Sequence, residues 1–377
     1  MIAIKDTFLL KNDIIYLNHG SYGACPKSIF EEYQFWQNKM ESQPVQFFQN
    51  ELYPALRNSR IALGDFLGCS EDELIFFQNP TTAVSNIIYN LGIQPNDEVL
   101  MTDHEYGALV RAWKAWSKKT GARIIQQKIP LHLESEDHFV KCFSEGITPK
   151  TRVIFISQIT SPTALVFPIE KIIDIAHEKG IITIVDGAHV PGHIDLNIHE
   201  LGCDFYTGAL HKWLCAPKGT SFLFVKKEHQ SWMKPLIYSW GKDGNDPTPS
   251  VFLQDFQWQG TKDMSAFLTI PRVIEYYKKN IKDLQPKCHK MNLLAFDRFK
   301  TVLGTDSLSN GGAWLGQMVS HPLPPGITKN IQEKLWEFHK IEIPIFEWGD
   351  YNLIRLSVQI YNDQKEIDLL MNALQSL

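Results

Sequence analysis

The sequence predicts an α/β protein: a mostly parallel central sheet flanked by helices, with a smaller α+β domain after it. Three observations carry this. Apolar strand-like runs alternate with segments of helical period through the first two-thirds of the chain. The best of these runs, Arg152–Ser157 and Ile181–Val185, are almost continuously apolar, as strands covered on both faces are. After residue 255 helical segments dominate, followed by a late strand pair around 341–344 and 353–358. A chain of 377 residues is also long for one small core. The expected division is an N-terminal segment (1–30) joining the small domain and the substrate side, a large domain (31–255) and a small C-terminal domain (256–377).

In order along the chain, Pro54–Leu67 has helical spacing at Leu56, Ile61, Leu63 and Phe66 and closes at Gly68. Leu74–Phe77 reads as a short buried strand, and Val84, Ile87, Ile88 and Leu91 then share one helical face. Glu98–Thr102 and Arg123–Ile125 read as strands around a helix containing Trp113 and Trp116. A helix over Ile169–Lys179 stops at Gly180, and Ser221–Val225 is another strand. Ser239–Ser250, with Gly241, Gly244, Pro247 and Pro249, is the clearest loop and is expected to be mobile or to span subunits.

Composition narrows the function. The apolar fraction of 44% and charged fraction of 21% are those of an ordinary soluble protein. A formal charge of −5 without a basic run argues against nucleic acid. Six cysteines with no Cys-x-x-Cys pair read as reduced thiols in a cytoplasm rather than a zinc ribbon or disulfide framework. The N-terminus lacks a signal-peptide core and no stretch is apolar enough to span a bilayer, so no membrane role is expected. Neither nucleotide-binding glycine loop is present, nor a Gly-x-Ser-x-Gly elbow.

The chemistry centres on Lys212, about 25 residues after Asp186, which ends the strand Ile181–Val185. That spacing is one αβ step of an open sheet, whose functional groups gather beyond the carboxyl ends of its strands, as Gln78, Ser157 and Asp186 do. A lysine and a buried carboxylate are what pyridoxal 5′-phosphate requires: the amine forms a Schiff base, and the carboxylate keeps the pyridine nitrogen protonated. Trp213, Leu214, Ala209 and Leu210 supply apolar neighbours that favour the neutral amine. Asn79-Pro80-Thr81-Thr82 follows a strand and opens a helix, a suitable phosphate cradle, although simple N-capping explains Thr81 equally well. Tyr106 or His104 offers a ring to stack on a flat cofactor. Arg355, mid-strand, calls for a bidentate anion, either an internal carboxylate or a substrate's. Asp186, His189 and His193 also suggest a metal site, although Pro191 and Gly192 keep the histidines off one helical face.

The ordered set Asn79-Pro-Thr-Thr-Ala-Val, Thr102-Asp-His-Glu-Tyr-Gly-Ala, Asp186-Gly-Ala-His189, His211-Lys212-Trp213 and Arg355-Leu-Ser…Tyr361-Asn362 resembles aminotransferase class V, a family of fold-type I pyridoxal phosphate enzymes. Tyr16–Pro26 and Gln43–Phe48 resemble its isopenicillin N epimerase-like branch. The resemblance implies Lys212 as the Schiff-base lysine, Asp186 at the pyridine nitrogen, and His189 near the ring oxygen. It implies phosphate contacts from Thr81, Thr82 and His211, with Tyr106 as the stacking ring. Gln158 stands where many relatives carry a histidine beside the ring oxygen, and Ala209 where relatives often carry a polar phosphate ligand. Gly260 and Thr261 resemble a segment that reaches a neighbouring subunit's phosphate, which implies a homodimer. Arg355 is implied to hold the substrate carboxylate, with Asn18 and His19 lining the substrate side.

Several reactions fit an amino acid held as an external aldimine, with Lys212 as base on the α-proton. Expulsion of a β-substituent needs one base and gives a C–S lyase, the favoured reading. Epimerisation needs a second acid, for which Tyr106 or His19 is available. Transamination lacks a second substrate anchor, and no cysteine between Ile341 and Ile354 supports desulfuration by a thiol nucleophile. The readings from other classes are a metal-dependent hydrolase built on Asp186, His189 and His193, and a non-catalytic dimeric binding protein.

Overall fold

The computed structural model describes residues 3–244, 248, 250–326 and 330–375. Strand β1 (Ile15–Tyr16) lies in the N-terminal segment. Strands β2 (Leu74–Phe77), β3 (Glu98–Thr102), β4 (Arg123–Gln127), β5 (Thr151–Ser157), β6 (Ile182–Asp186), β7 (Phe205–Ala209) and β8 (Ser221–Val225) form one seven-stranded sheet. Its order is β2-β8-β7-β6-β5-β3-β4, and only β8 runs against the rest. Strand alternation explains why the best runs are apolar throughout. Val153 and Phe155 of β5 pack on one face with Trp113, Trp116 and Val84, while Ile154 and Ile156 pack on the other with Ile169 and Ile172.

The helices end where local chemistry requires. Helix Leu52–Leu67 closes on Gly68 at φ +69°, a left-handed cap that suits glycine. Helix Pro80–Asn90 opens with proline at its first position and with the Asn79 side chain accepting from the Thr82 N–H at 2.9 Å.

Two expectations change. Strand β7, at residues 205–209, has the mixed sequence FYTGA, which the apolar pattern did not single out, although it is fully buried. The late strands are not one pair: β10 (Ile341–Glu342) pairs in parallel with β1. The antiparallel sheet of β11 (Ile345–Trp348), β12 (Tyr351–Ser357) and β9 (Met318–Pro322) is separate. In the loop expected over 239–250, residues 245–247 and 249, with Pro247 and Pro249, lie outside the described residues. No helix among the described residues is long and apolar enough to cross a membrane.

Candidate active site

Strands β3, β5 and β6 deliver Glu105, Ser157 and Asp186 to one edge of the sheet, and the turn after β7 delivers Lys212. Ser157 and Asp186 are register partners, so neighbouring strand ends place them side by side. With the opening of helix Pro80–Asn90 and with Arg355 of β12, Ser157, Asp186 and Lys212 line a cavity of about 570 Å³, and Glu105 stands behind Ser157. That volume suits a small cofactor together with a small substrate.

Lys212 Nζ lies 3.1 Å from His189 Nε2. The Trp213 indole N–H donates to His189 Nδ1 at 3.2 Å. Since indole nitrogen can only donate, Nδ1 must be bare and the neutral ring carries its proton on Nε2. That proton faces Lys212, whose Nζ accepts it once the amine is deprotonated. Burial, with the Arg355 charge second, lowers the Lys212 pKa to about 8, with Asp186 only partly opposing, so the amine gives up its proton far more readily than an exposed lysine does. Burial drives the His189 pKa well below its usual value, with Lys212 next in weight. Burial also raises the Asp186 carboxyl, opposed by the Ala188 N–H it accepts at 2.9 Å and by Lys212.

At the other end, Asn79, Pro80, Thr81 and Thr82 line the cavity where a helix N-terminus favours an anion. His211 also lines it, but its Nδ1 donates to the Thr220 carbonyl at 3.1 Å. A neutral ring so held offers an acceptor at Nε2; a phosphate there would favour the imidazolium, against the burial that lowers its pKa to about 4. Arg355 is buried, and no carboxylate among the described residues pairs with it. Its Nη1 donates to the Ser161 carbonyl at 2.6 Å and to Ser161 Oγ at 3.1 Å, and its Nη2 to Ser21 Oγ at 2.9 Å. Its buried Nε has no partner. A cation desolvated and left without a counterion in a cavity wall is a receptor for an anionic group.

Lys212, Asp186, His189, Thr81, Thr82, His211, Tyr106 and Arg355 therefore come together on one cavity. Other expected residues do not join them. Gln158 is buried and accepts from the Tyr206 O–H at 2.7 Å. His104 is buried against Thr163 Oγ1 at 2.8 Å, leaving Tyr106 as the aromatic ring of that segment on the wall. Asn18 and His19 stand behind the wall, which Gly20, Ser21 and Tyr22 form in their place. Gly260 and Thr261 do not line this chain's cavity.

The metal reading of Asp186, His189 and His193 fails on His193. Its Nδ1 donates to the His189 carbonyl at 2.9 Å and its Nε2 accepts from the Gln317 N–H at 2.6 Å, which leaves no lone pair for an ion. The ligand-type cluster among the described residues is instead Asp204, Glu228 and His229. Asp204 there is already committed to the Thr183 N–H and hydroxyl and to His229.

Sequence reasoning passed over Glu105, although it lies within the quoted segment at a strand's carboxyl end, which was the available signal. Its buried carboxylate accepts from Thr102 Oγ1 at 2.7 Å and from Ser157 Oγ at 2.5 Å. Burial raises its pKa to about 7, the Ser157 and Thr102 hydrogen bonds opposing and Asp186 adding. Ser21 and Ser161, which hold Arg355, were also missed; neither carries a local signature.

A buried lysine of lowered pKa, a buried carboxylate and an anion-favouring helix end, at the carboxyl edge of this sheet, define a pyridoxal phosphate-dependent enzyme of fold type I. The aminotransferase class-V family matches residues 16–314, and the chain belongs to that family. It is 30% identical to isopenicillin N epimerase of Amycolatopsis lactamdurans, over 96% of this chain and 94% of that one. It is 26% identical to the probable chloroplastic L-cysteine desulfhydrase of Arabidopsis thaliana, over 97% and 83% of the two chains. Among solved structures, the cystine C–S lyase C-DES in complex with cysteine persulfide superposes with a TM-score of 0.85 at 18% identity, covering 97% and 98%.

Proposed function

We propose that this protein is a pyridoxal phosphate-dependent C–S lyase acting on a cysteine-type L-amino acid. The observation that carries it is the pairing, across one cavity, of a buried lysine of lowered pKa with an arginine that has no carboxylate partner among the described residues. Arg355 takes the substrate α-carboxylate and fixes its orientation toward Lys212. Lys212 Nζ removes the α-proton, the one base a β-elimination requires. The cofactor, when bound, spreads the charge left at Cα over its ring. Asp186 would keep the ring nitrogen protonated, His189 would offer its Nε2 proton to the ring oxygen, and Thr81, Thr82 and the helix N-terminus would hold the phosphate. The cavity walls carry no cysteine, so the sulfur leaves as a thiol rather than passing to a protein thiol.

The second reading is an epimerase. His19 cannot be its second acid, since both ring nitrogens are bonded and burial lowers its pKa to about 3. Tyr106, on the cavity wall and 46% exposed, is in place for that role. The isopenicillin N epimerase among the relatives supports keeping it.

We further propose a homodimer, supported by Gly260, at φ +108° with open space around it, and the exposed Thr261 beside it. The division into 1–30, 31–255 and 256–377 fits the three sheets, the seven-stranded one within 31–255, the three-stranded one within 256–377, and the β1–β10 pair joining the first segment to the last. The six unpaired cysteines fit a reducing cytoplasm.

The test is the visible spectrum of wild type and Lys212→Ala before and after borohydride, then incubation with L-cysteine and L-cystine. A yellow band that borohydride removes and the variant lacks is expected, with release of pyruvate, ammonia and a thiol. A colourless protein that takes up no pyridoxal phosphate would overturn the reading. Rapid α-proton exchange with the substrate retained would replace the lyase with the epimerase.

A further inference from the structure

The N-terminal segment runs between the two halves of the site and is bonded to both. On the small-sheet side, β1 pairs with β10, the Leu17 carbonyl accepts from the Ser357 N–H at 3.0 Å, and Asn362 Nδ2 donates to the Tyr16 carbonyl at 3.0 Å. Ser21 Oγ takes the Arg355 Nη2 hydrogen bond and itself donates to Asn18 Oδ1. On the lysine side the approach is so close that a Cβ on Gly23 would stand 2.0 Å from the His211 carbonyl oxygen. Gly23 sits at φ +69°, a conformation that other residues adopt only under strain.

His19 joins the two sides. It is fully buried, its Nε2 lies 3.0 Å from the Lys212 carbonyl oxygen, and its Nδ1 lies 2.8 Å from the Tyr361 hydroxyl. A carbonyl only accepts, so Nε2 must carry the proton; Nδ1 is then bare and takes the Tyr361 O–H. The ring is thus a neutral connector of fixed tautomer between the backbone of Lys212 and the segment that follows β12. Trp213, the residue beside Lys212, packs against the same ring with centroids 5.1 Å apart.

We propose that His19 is a positioning residue that couples capture of a carboxylate at Arg355 to the setting of Lys212, through the continuous path Arg355–Ser21–Asn18–His19–Lys212. The inference rests on the reading of Lys212 as the cofactor lysine and of Arg355 as the carboxylate receptor. A carboxylate that draws Arg355 toward itself pulls on Ser21, and the strap transmits that pull to the Lys212 carbonyl. His19 touches no reacting atom. Its effect is on where the amine stands relative to His189, Asp186 and Arg355, the titratable and charged groups acting on it, of which Arg355 also acts directly through its charge.

The test uses the holoenzyme and propionate, a carboxylate with no amine to react. The pH midpoint of the cofactor's visible band is measured with and without propionate in wild type, His19→Phe, His19→Gln and Ser21→Ala, and propionate affinity is measured by calorimetry. In wild type, saturating propionate is expected to move the midpoint by about 0.7 unit, a fivefold coupling. In His19→Phe propionate still binds, within about threefold, while the shift falls by at least half, leaving the part that neutralising the Arg355 charge produces directly; His19→Gln, which keeps a donor for the Lys212 carbonyl, restores part of the loss. Ser21→Ala, which leaves the lysine side intact, is expected to lose the same part of the shift and decides the matter should His19→Phe fail to fold. An unchanged shift in both His19→Phe and Ser21→Ala overturns the coupling. So does a wild-type band that propionate binds without moving, which leaves the cofactor reading standing. Absence of any band overturns the underlying reading and the coupling with it.

Discussion

Replacing Arg355 with methionine separates a receptor from a structural ion pair, because the two roles predict opposite outcomes. Burial lowers the arginine's pKa from 12.5 to about 10, with Tyr106, Tyr16 and Tyr22 opposing. The group stays charged at neutral pH, and the shift corresponds to about 3 kcal/mol of unfavourable environment. Against that stand three hydrogen bonds, to Ser161 twice and to Ser21, together worth about 3 kcal/mol. The balance is near zero, so Arg355→Met is expected to change the stability of the ligand-free protein by no more than about 1 kcal/mol in urea unfolding. Substrate recognition behaves differently. Of the five guanidinium N–H donors three are committed, and two remain, on Nε and Nη2. A carboxylate using both gains about 3–6 kcal/mol. The variant should therefore lose about 10²- to 10⁴-fold in kcat/KM, mostly through KM, while binding cofactor as wild type does. A variant destabilised by about 3–5 kcal/mol, with KM unchanged, would refute the reasoning and make Arg355 a structural residue.

Three more predictions concern buried groups. Lys212 has a folded pKa near 8 against 10.5 unfolded, so the unfolded chain binds more protons between those values and stability rises with pH across that window. Cofactor-free Lys212→Met should accordingly be more stable than wild type by about 3 kcal/mol below pH 8, a gain that fades by pH 10.5 in thermal melts taken across that range. Glu105 has the opposite sign: its folded pKa near 7 exceeds 4.5, so the native state binds more protons and the group's contribution is lost as pH rises from 4.5 to 7. Glu105→Gln should flatten that slope; an unaltered pH–stability profile would mean that Glu105 stays ionised throughout. His193→Ala leaves the Gln317 N–H without its acceptor and removes a ring stacked on Trp213 at 3.9 Å, a loss of about 1–3 kcal/mol in urea. Metal bound stoichiometrically to wild type and lost in that variant would revive the metal reading.

The sequence by itself determined the sheet and the chemistry that sits on it. Val153–Ile156 is apolar at every position, and Ile181–Val185 at every position but Thr183, because both sheet faces are covered, so local composition reports the layer. Asp186, Ser157 and the helix start at Asn79 were legible as site residues because an open sheet presents functional groups at its carboxyl edge whatever surrounds it. Lys212 was legible from its spacing and its apolar neighbours. Residues brought in from far along the chain were a different matter. Gln158, next to Ser157, is turned away from the cavity to serve Tyr206, because neighbours on an extended chain face opposite ways. His193 fits a metal-ligand pattern, yet its nitrogens are taken by a backbone carbonyl and a backbone N–H, the latter 124 positions away. Ser21 meets Arg355 across 334 positions, and His19 meets Tyr361 across 342. No local propensity encodes such pairings; they exist because β1 is threaded beside β10 and carries the N-terminal segment between the lysine and the arginine. Tertiary structure alone decided that Ser21 and Tyr22, rather than Asn18 and His19, face the cavity, since that choice depends on which side of the strap the small sheet closes against.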